Sequence, residues 1–531
     1  MSAPFRVLIS DQLSPEAAEI FARRGIAADV RTGLSPAELR AIIGGYDGLA
    51  VRSATKVTRE VLEAAPRLKV VGRAGIGVDN VDVKTATARG VVVMNTPFGN
   101  AITTAEHAIA LIFALARQIP EASASTKAGK WEKNRFMGSE LAAKTLGLIG
   151  CGNIGSIVAD RALGLKMKVL AYDPFLADER AVAIGVEKVD LPALLAHADI
   201  ITLHTPLTNA TRNILSREAL AATRKGVRII NCARGGLIDE AALAEALASG
   251  HVAGAALDVF ETEPARESPL FAFENVVCTP HLGAATAEAQ EKVALQVAEQ
   301  MSDFLLTGAV ENAINMPAVS AEEAPRLKPY LELCRLLGAF AGQLTQAREG
   351  VIRRIGIEYE GLAAALNHKP LTAAALAGVL SPVMDGANMV SAPLLAREHG
   401  IAVAETVHDR PSEYQTLVRL TIDTAEQTRS VAGTLFAGAR PRLVEIKGIP
   451  VEADFGRHMI YVTNQDKPGF IGRFGATLAE AGINIATFHL GRSAKGADAI
   501  CLVSVDEPVA DAVLHDVRAL PLVMQATALS F

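Results

Sequence analysis

A chain of 531 residues, half of them hydrophobic, is too long for one core and has the apolar material for three or four domains of about 150 residues. A net charge of −6 and a pI near 6.1 leave no basic footprint for nucleic acid. The five cysteines (Cys151, Cys232, Cys278, Cys334, Cys501) are odd in number and never in a Cys-x-x-Cys spacing, so neither a metal site nor a disulfide framework is indicated.

The N-terminal stretch runs straight into a strand without a signal-peptide pattern. The longest apolar run, Ala108 to Ala116, is about half a membrane span. A cytoplasmic protein with no membrane segment is therefore expected. Residues 1–99 alternate strands (Val7 to Ser10, Gly48 to Val51, Val70 to Gly72, Val91 to Met94) with helices. Pro15 to Arg24 and Pro36 to Ile43 each read as a helix with Ser at the N-cap and Pro at its first position. Polar groups follow the strands: Arg52-Ser53-Ala54-Thr55, then Arg73 to Asn80 with Gly75 among them, then Asn95-Thr96-Pro97 leading to Asn100. Ligands of open α/β sheets bind beyond the carboxyl ends of strands. Arg52 there is suited to fork an anion, while Arg73 divides between that role and a solvated one.

Thr104 to Arg117 reads as an apolar helix with a Thr N-cap, on which His107 serves packing. The loop Gly129 to Gly138 holds the only tryptophan, Trp131, with Lys130, Lys133 and Arg135 in reach of an anion. A buried strand from Thr145 to Ile149 then meets Gly150-Cys-Gly152-Asn153-Ile154-Gly155 and a helical pattern. In such a Gly-x-Gly-x-x-Gly turn the first glycine permits the bend, the second admits a pyrophosphate and the third lets helix pack on strand. A second strand, Lys168 to Tyr172, ends in Asp173, 18 residues past Gly155, where a carboxylate accepts the ribose hydroxyls and favours NAD over NADP.

Continuous strand–helix alternation to about Thr279 argues for a parallel sheet with helices on both faces. Its strand tips carry His204 and Thr205, then Asn231 to Arg234, then Asp258. Beyond them stand Glu263 and, in Thr279-Pro-His-Leu-Gly283, His281. Hydride transfer from a carbinol needs a base for the hydroxyl proton, and histidine titrates near working pH. A carboxylate orients that ring and an arginine holds a substrate carboxylate. Spacing alone does not show that Arg234, Glu263 and His281 meet. A long helix from Ala285 to Leu306, a proline-bearing break at Asn315 to Val319 and a mixed region to residue 453 follow. Residues 458–531 read βαββαβ, the order of a ferredoxin-like module.

Together Val51-Arg-Ser-Ala-Thr55, Gly72 to Asn80, Asn95 to Asn100, Gly150 to Gly155 with Asp173, Asn231 to Gly236, Asp258 to Pro264 and Thr279 to Ala284 resemble the D-isomer-specific 2-hydroxyacid dehydrogenase family. The resemblance extends over the whole chain, in the long form that adds an intervening, allosteric-substrate-binding segment and an ACT segment. It implies two Rossmann-like doubly wound domains, 1–99 with 286–318 for substrate and 100–285 for NAD. An α+β intervening domain (319–453) and an ACT regulatory domain (454–531) would follow. It further implies NAD-dependent oxidation of 3-phospho-D-glycerate to 3-phosphohydroxypyruvate at the head of L-serine synthesis. His281 would be acid/base, Glu263 its partner and Arg234 the orienting arginine. Cofactor contacts would come from Gly150, Gly152, Asn153, Ile154, Gly155, Asp173, Thr205, Cys232, Ala233, Arg234, Asp258, His281, Gly283 and Ala284. Arg52, Ser53, Gly75, Asn100 and Arg135 would surround the substrate, Arg135 reaching across a subunit boundary. L-serine would bind between paired ACT domains near Asn464, Asp466 and Asn484, a segment that is also a good turn. A homotetramer is expected, paired through the NAD domain and the C-terminal domains. The rival readings are a dehydrogenase for an unphosphorylated acid (glycerate, glyoxylate, 2-hydroxyglutarate) and an NADH-sensing co-regulator.

Overall fold

Apolar runs bounded by glycine and proline turns build four sheets in the computed structural model, which describes residues 4–346, 351–408 and 413–531. The first is five-stranded and parallel, in spatial order Ala27–Val30, Arg6–Ile9, Gly48–Val51, Val70–Arg73, Val92–Met94. Central strands such as Gly48–Val51 are buried at every position, as expected where helices cover both faces. The edge strand Ala27–Val30 escapes the sequence pattern because its Ala-Ala-Asp-Val is half-exposed and carries little β preference. The helix Ala287–Thr307 returns from far along the chain and buries Val293, Val297 and Met301 in this domain's core.

The second sheet is seven-stranded and wholly parallel, in the order Val276–Cys278, Val252–Leu257, Val227–Asn231, Ile200–Leu203, Thr145–Ile149, Lys168–Tyr172, Glu187–Lys188. A separate apolar core lies on each of its faces. The helix expected from Thr104 begins three residues earlier, as Ala101–Arg117, because Ala101, Thr104, Ala105 and Ala108 form one buried stripe. Asn100 takes the N-cap place, yet its side chain makes no capping bond. The expected Ser–Pro start holds for Pro36–Ile42, where Ser35 and Glu38 form a capping box. It fails for Glu16–Arg23, where Pro15 itself sits at the cap and makes no side-chain cap bond.

The third sheet is six-stranded, in the order Ala402–His408, Ile352–Gly361, Thr416–Thr424, Thr428–Phe436, Arg440–Ile446, Ile449–Asp454. Its first pair is parallel and the rest antiparallel. The helices Ala324–Gln346 and His368–Leu380 cross at glycines: a Cβ on Gly378 would lie 2.2 Å from the Arg335 carbonyl oxygen. The fourth sheet, Ile485–Arg492, Asp498–Val505, His458–Gln465, Val523–Ser530, is antiparallel with helices Phe470–Glu480 and Asp511–Ala519, the ferredoxin-like arrangement. One continuous core joins the first, third and fourth sheets, from Val7 through Val297, Phe340 and Tyr359 to Tyr461. Among the described residues no helix is long and apolar enough to cross a membrane.

Candidate active site

The seven-stranded sheet runs outward from Thr145–Ile149 to one edge and then returns to Ile200–Leu203 on the other flank. The crevice between these two strand tips is where such sheets bind ligands. Gly150, at φ 93°, ends one strand so close to the other that an added Cβ would lie 2.6 Å from the His204 carbonyl oxygen. Gly155 faces the Gly150 carbonyl oxygen, 2.2 Å from where its own Cβ would stand, so helix and strand meet only without a side chain. Gly152, with nothing within 4 Å of its Cβ position, is the N-cap of Asn153–Gly164 and leaves the first-turn N–H groups uncapped by any side chain. That open cradle at a helix N-terminus fits a pyrophosphate.

Asp173 accepts from the Cys151 and Phe175 amides, both at 2.8 Å, and borders a cleft of about 740 Å³ with Tyr172, Pro174, Val182 and Val189. Each carboxylate oxygen keeps a further lone pair for a ribose hydroxyl. His204 hydrogen-bonds Thr202 Oγ1 through Nε2 at 2.9 Å, and burial pushes its pKa down to about 4, so the ring is neutral. Thr205 follows it, half-buried at the crevice, while Asn153 reaches the Pro97 carbonyl of the first domain at 3.5 Å. Ile154 packs against the core below, and burial holds the Cys232 thiol far above its ordinary pKa.

The wall opposite is built around Asp258, fully buried at the end of Val252–Leu257. Its carboxylate accepts from Thr279 Oγ1 at 2.6 Å and from the Leu282 and Gly283 amides, each at 2.7 Å. His107 Nε2 lies 3.3 Å from the same carboxylate. Burial would raise this carboxyl, but the bonds from His107, Thr279 and the two amides outweigh it and lower its pKa. Asp258 thereby fixes the turn that holds His281 in the left-handed region at φ 56°. Ala284 follows at the turn's end, half-buried. His107, read as a packing residue, belongs to this network instead; its place on a helix gave no sign of a partner some 150 residues away.

His281 Nδ1 and Glu263 Oε2 are 2.7 Å apart. Burial raises the Glu263 carboxyl, and the bond and charge of His281 reverse this to a net lowering. The loop carrying Ala233 and Arg234 packs against the one carrying Glu263, since a Cβ on Gly235 would lie 1.8 Å from the Phe260 carbonyl oxygen. Asn231 shapes that loop, accepting from the Ala233 amide at 3.0 Å and donating to the Arg234 carbonyl at 2.8 Å. Arg234 crosses the cleft and donates Nε–H to Asp79 of the first domain at 2.9 Å. The three residues whose meeting spacing left open therefore reach one sheet edge.

On the first domain's side Asp11 spans that sheet's own change of direction. It accepts from the Arg52 amide at 2.6 Å and from Thr55 Oγ1 at 2.6 Å. Ser53, between them, is exposed. Gly75 donates to Thr96 Oγ1 at 2.7 Å, and the buried Asn100 Oδ1 has no partner. Sequence reasoning missed Asp11, two residues past the strand Arg6–Ile9, and gave Asp79 no role of its own within the polar stretch that follows Val70–Arg73. Arg135 lies outside this cluster, paired to Glu132 at 3.2 Å and Glu274 at 2.9 Å of its own chain.

In the fourth sheet, Asp466 binds Arg492 at 2.9 Å and the Gly496 amide at 3.0 Å, while Asn484 donates to Asp506 at 2.7 Å. Asn464 is buried, with Oδ1 unpartnered.

Three family descriptions match the chain: the D-isomer specific 2-hydroxyacid dehydrogenase NAD binding domain over 109–283, the D-3-phosphoglycerate dehydrogenase intervening domain over 326–447 and the ACT domain over 458–522. Among curated proteins it is 43% identical to a D-3-phosphoglycerate dehydrogenase of Synechocystis over 96% of this chain and 92% of that one. It is 42% identical to one of Bacillus subtilis over 97% and 98%. Among solved structures, a glyoxylate reductase from Paecilomyes thermophila (29% identity, TM-score 0.56) covers 59% of this chain and 99% of its own. A D-lactate dehydrogenase from Aquifex aeolicus, complexed with NAD and lactic acid (26%, TM-score 0.52), covers 59% and 100%.

Proposed function

The chain belongs to the D-isomer-specific 2-hydroxyacid dehydrogenase family, in its long form with intervening and ACT segments, and on that premise we propose how its residues divide the work. It is an NAD-dependent oxidoreductase that converts 3-phospho-D-glycerate to 3-phosphohydroxypyruvate, the entry to L-serine synthesis. The near-full-length identity to enzymes of that name carries this reading. When bound, the nicotinamide supplies the hydride acceptor. Every other step falls to the chain. Arg234 holds the substrate carboxylate in its guanidinium fork and orients the carbinol carbon. Glu263, accepting from His281 Nδ1, leaves Nε2 as the nitrogen that takes the hydroxyl proton as the C–H hydride departs. Asp258 keeps the His281 turn in register. Arg52, Ser53, the Gly75 loop and Asn100 surround the substrate from the first domain. Asn153, Ile154, Thr205, Cys232, Ala233, Gly283 and Ala284 line the cofactor crevice.

The same reading divides the chain at 1–99 with 286–318, 100–285, 319–453 and 454–531. The exposed Trp131 and Met137 support pairing of subunits through the NAD domain, which would bring Arg135 to a partner's cleft. The unpartnered, buried Asn464 Oδ1 supports an amino-acid effector such as L-serine at the ACT segment. Steady-state rates with NAD, comparing 3-phospho-D-glycerate with D-glycerate, with and without serine, test the substrate and the effector. Equal rates on the two acids would replace the phosphorylated substrate by an unphosphorylated one. Indifference to serine would remove the effector. His281→Ala should lower turnover by roughly 10²-fold or more; unchanged turnover would take His281 out of the chemistry.

A further inference from the structure

The loop Arg52 to Thr55 on the first domain's side of the cleft is open to solvent at its middle. Ser53 and Ala54 are exposed, and Arg52 and Thr55 are half-buried. A loop so exposed is usually free to move, yet two buried polar side chains hold its main chain at both ends. The strand before it, Gly48–Val51, lies between Arg6–Ile9 and Val70–Arg73. Each of these neighbours is followed by a loop that sends one such side chain across: Asp11 from the first and Asn80 from the second, 5% and 8% exposed.

Asp11 takes the loop's donors. Its Oδ2 accepts from the Arg52 amide at 2.6 Å, and its Oδ1 accepts from the Thr55 amide at 3.0 Å and the Thr55 hydroxyl at 2.6 Å. Asn80 takes the acceptors, its Nδ2 donating to the Arg52 carbonyl at 2.8 Å and to the Thr55 carbonyl at 2.7 Å. The two arms are not interchangeable, because an ionised carboxylate only accepts and an NH₂ group only donates. The Asn80 carbonyl also accepts from the Val57 amide at 2.8 Å, which fixes the arm that reaches the loop.

A buried carboxylate is costly unless N–H and O–H donors surround it, and the parallel pairing of Gly48–Val51 with its neighbours does not depend on this one. What the clamp does specify is direction. With both its N–H and its C=O held, Arg52 has its two peptide planes set, so its side chain leaves the backbone one way. The place matters as well: the sheet changes direction between Arg6–Ile9 and Gly48–Val51, the crevice in which open α/β sheets bind ligands. Resting on the reading above that Arg52 faces the substrate, we propose that Asp11 and Asn80 are positioning residues for the reaction. They aim Arg52 by clamping its main chain and act on the substrate only through that loop.

The test uses the full chain, with steady-state KM for 3-phospho-D-glycerate and for NAD measured separately. Asp11→Asn keeps the shape but turns a donor toward the amides; it should raise KM for phosphoglycerate roughly 10-fold, the size of one lost hydrogen bond to a charged group. KM for NAD should stay within about twofold, since the clamp lies on the other domain. Asn80→Ala should act alike, and Asn80→Asp should be worse than Ala because its carboxylate would face two carbonyl oxygens. In an Arg52→Ala background neither Asp11→Asn nor Asn80→Ala should raise KM further, the mark of groups that act through Arg52 rather than through general stability. Full additivity in that background, or parallel rises in both KM values, or no rise in either, would overturn the proposal. Should Asp11→Asn lose its thermal transition, Thr55→Val, which removes only the hydroxyl donor to Asp11, carries the same test, and an unchanged KM for phosphoglycerate in it overturns the proposal. Arg52→Ala with an unchanged KM would overturn it at its premise. Wild-type enzyme without turnover of phosphoglycerate would be a distinct failure, of the substrate reading first and of the proposal with it.

Discussion

A histidine that takes a proton on one ring nitrogen needs the other one fixed, and Glu263 does this for His281 at 2.7 Å. Glu263→Gln keeps the shape and removes the charge, so turnover should fall roughly tenfold or more while NADH binding, read by fluorescence, persists. His204 is an imidazole kept neutral by burial. The unfolded chain protonates it near 6.5, the folded chain only near 4, so acid favours unfolding between those values. Denaturant titrations should show stability falling by up to about 1.4 kcal/mol per pH unit below 6.5, with that slope missing in His204→Asn. That the His204 ring is neutral is invisible in the sequence, because it depends on burial by neighbours brought from elsewhere in the chain.

At the scale of elements, glycine turns and strand tips were legible and partners across the fold were not. The turn Gly150 to Gly155 announces itself because its spacing answers a local mechanical demand, and Ser35 with Glu38 announces a helix start for the same reason. The helix Ala101–Arg117 overruns its expected start because burial of Ala101 prevails over the capping preference of Thr104. The crossing of Ala324–Gln346 with His368–Leu380 is likewise tertiary: Gly378 looks like any weak helix residue until the Arg335 carbonyl oxygen is seen 2.2 Å from where a Cβ on it would stand. Gly378→Val should therefore destabilise by about 1–3 kcal/mol or more, measured by urea unfolding. Gly164→Ala, at an open helical position, should be neutral or mildly stabilising.

For the whole molecule, the continuous core gives the C-terminal module a structural role. Tyr461 and Phe531 flank Phe340 at ring distances of 5.9 and 6.5 Å, and the Ser530 amide and carbonyl are tied to Gln343. Deleting residues 454–531 would uncover that apolar face, so the shortened chain should show a lower melting temperature by calorimetry besides any loss of serine response. An unchanged transition would mean that the module sits on the rest without stabilising it. By itself the sequence determined the dinucleotide turn, the order of α/β units and the βαββαβ tail, because each is written in local spacing and period. Its motif residues also identified the family. Only the tertiary structure decided that Asp258 carries the His281 turn and that Asp79 holds Arg234 across the cleft. Burial and pairing are properties of segments far apart in the chain, and no local pattern encodes them.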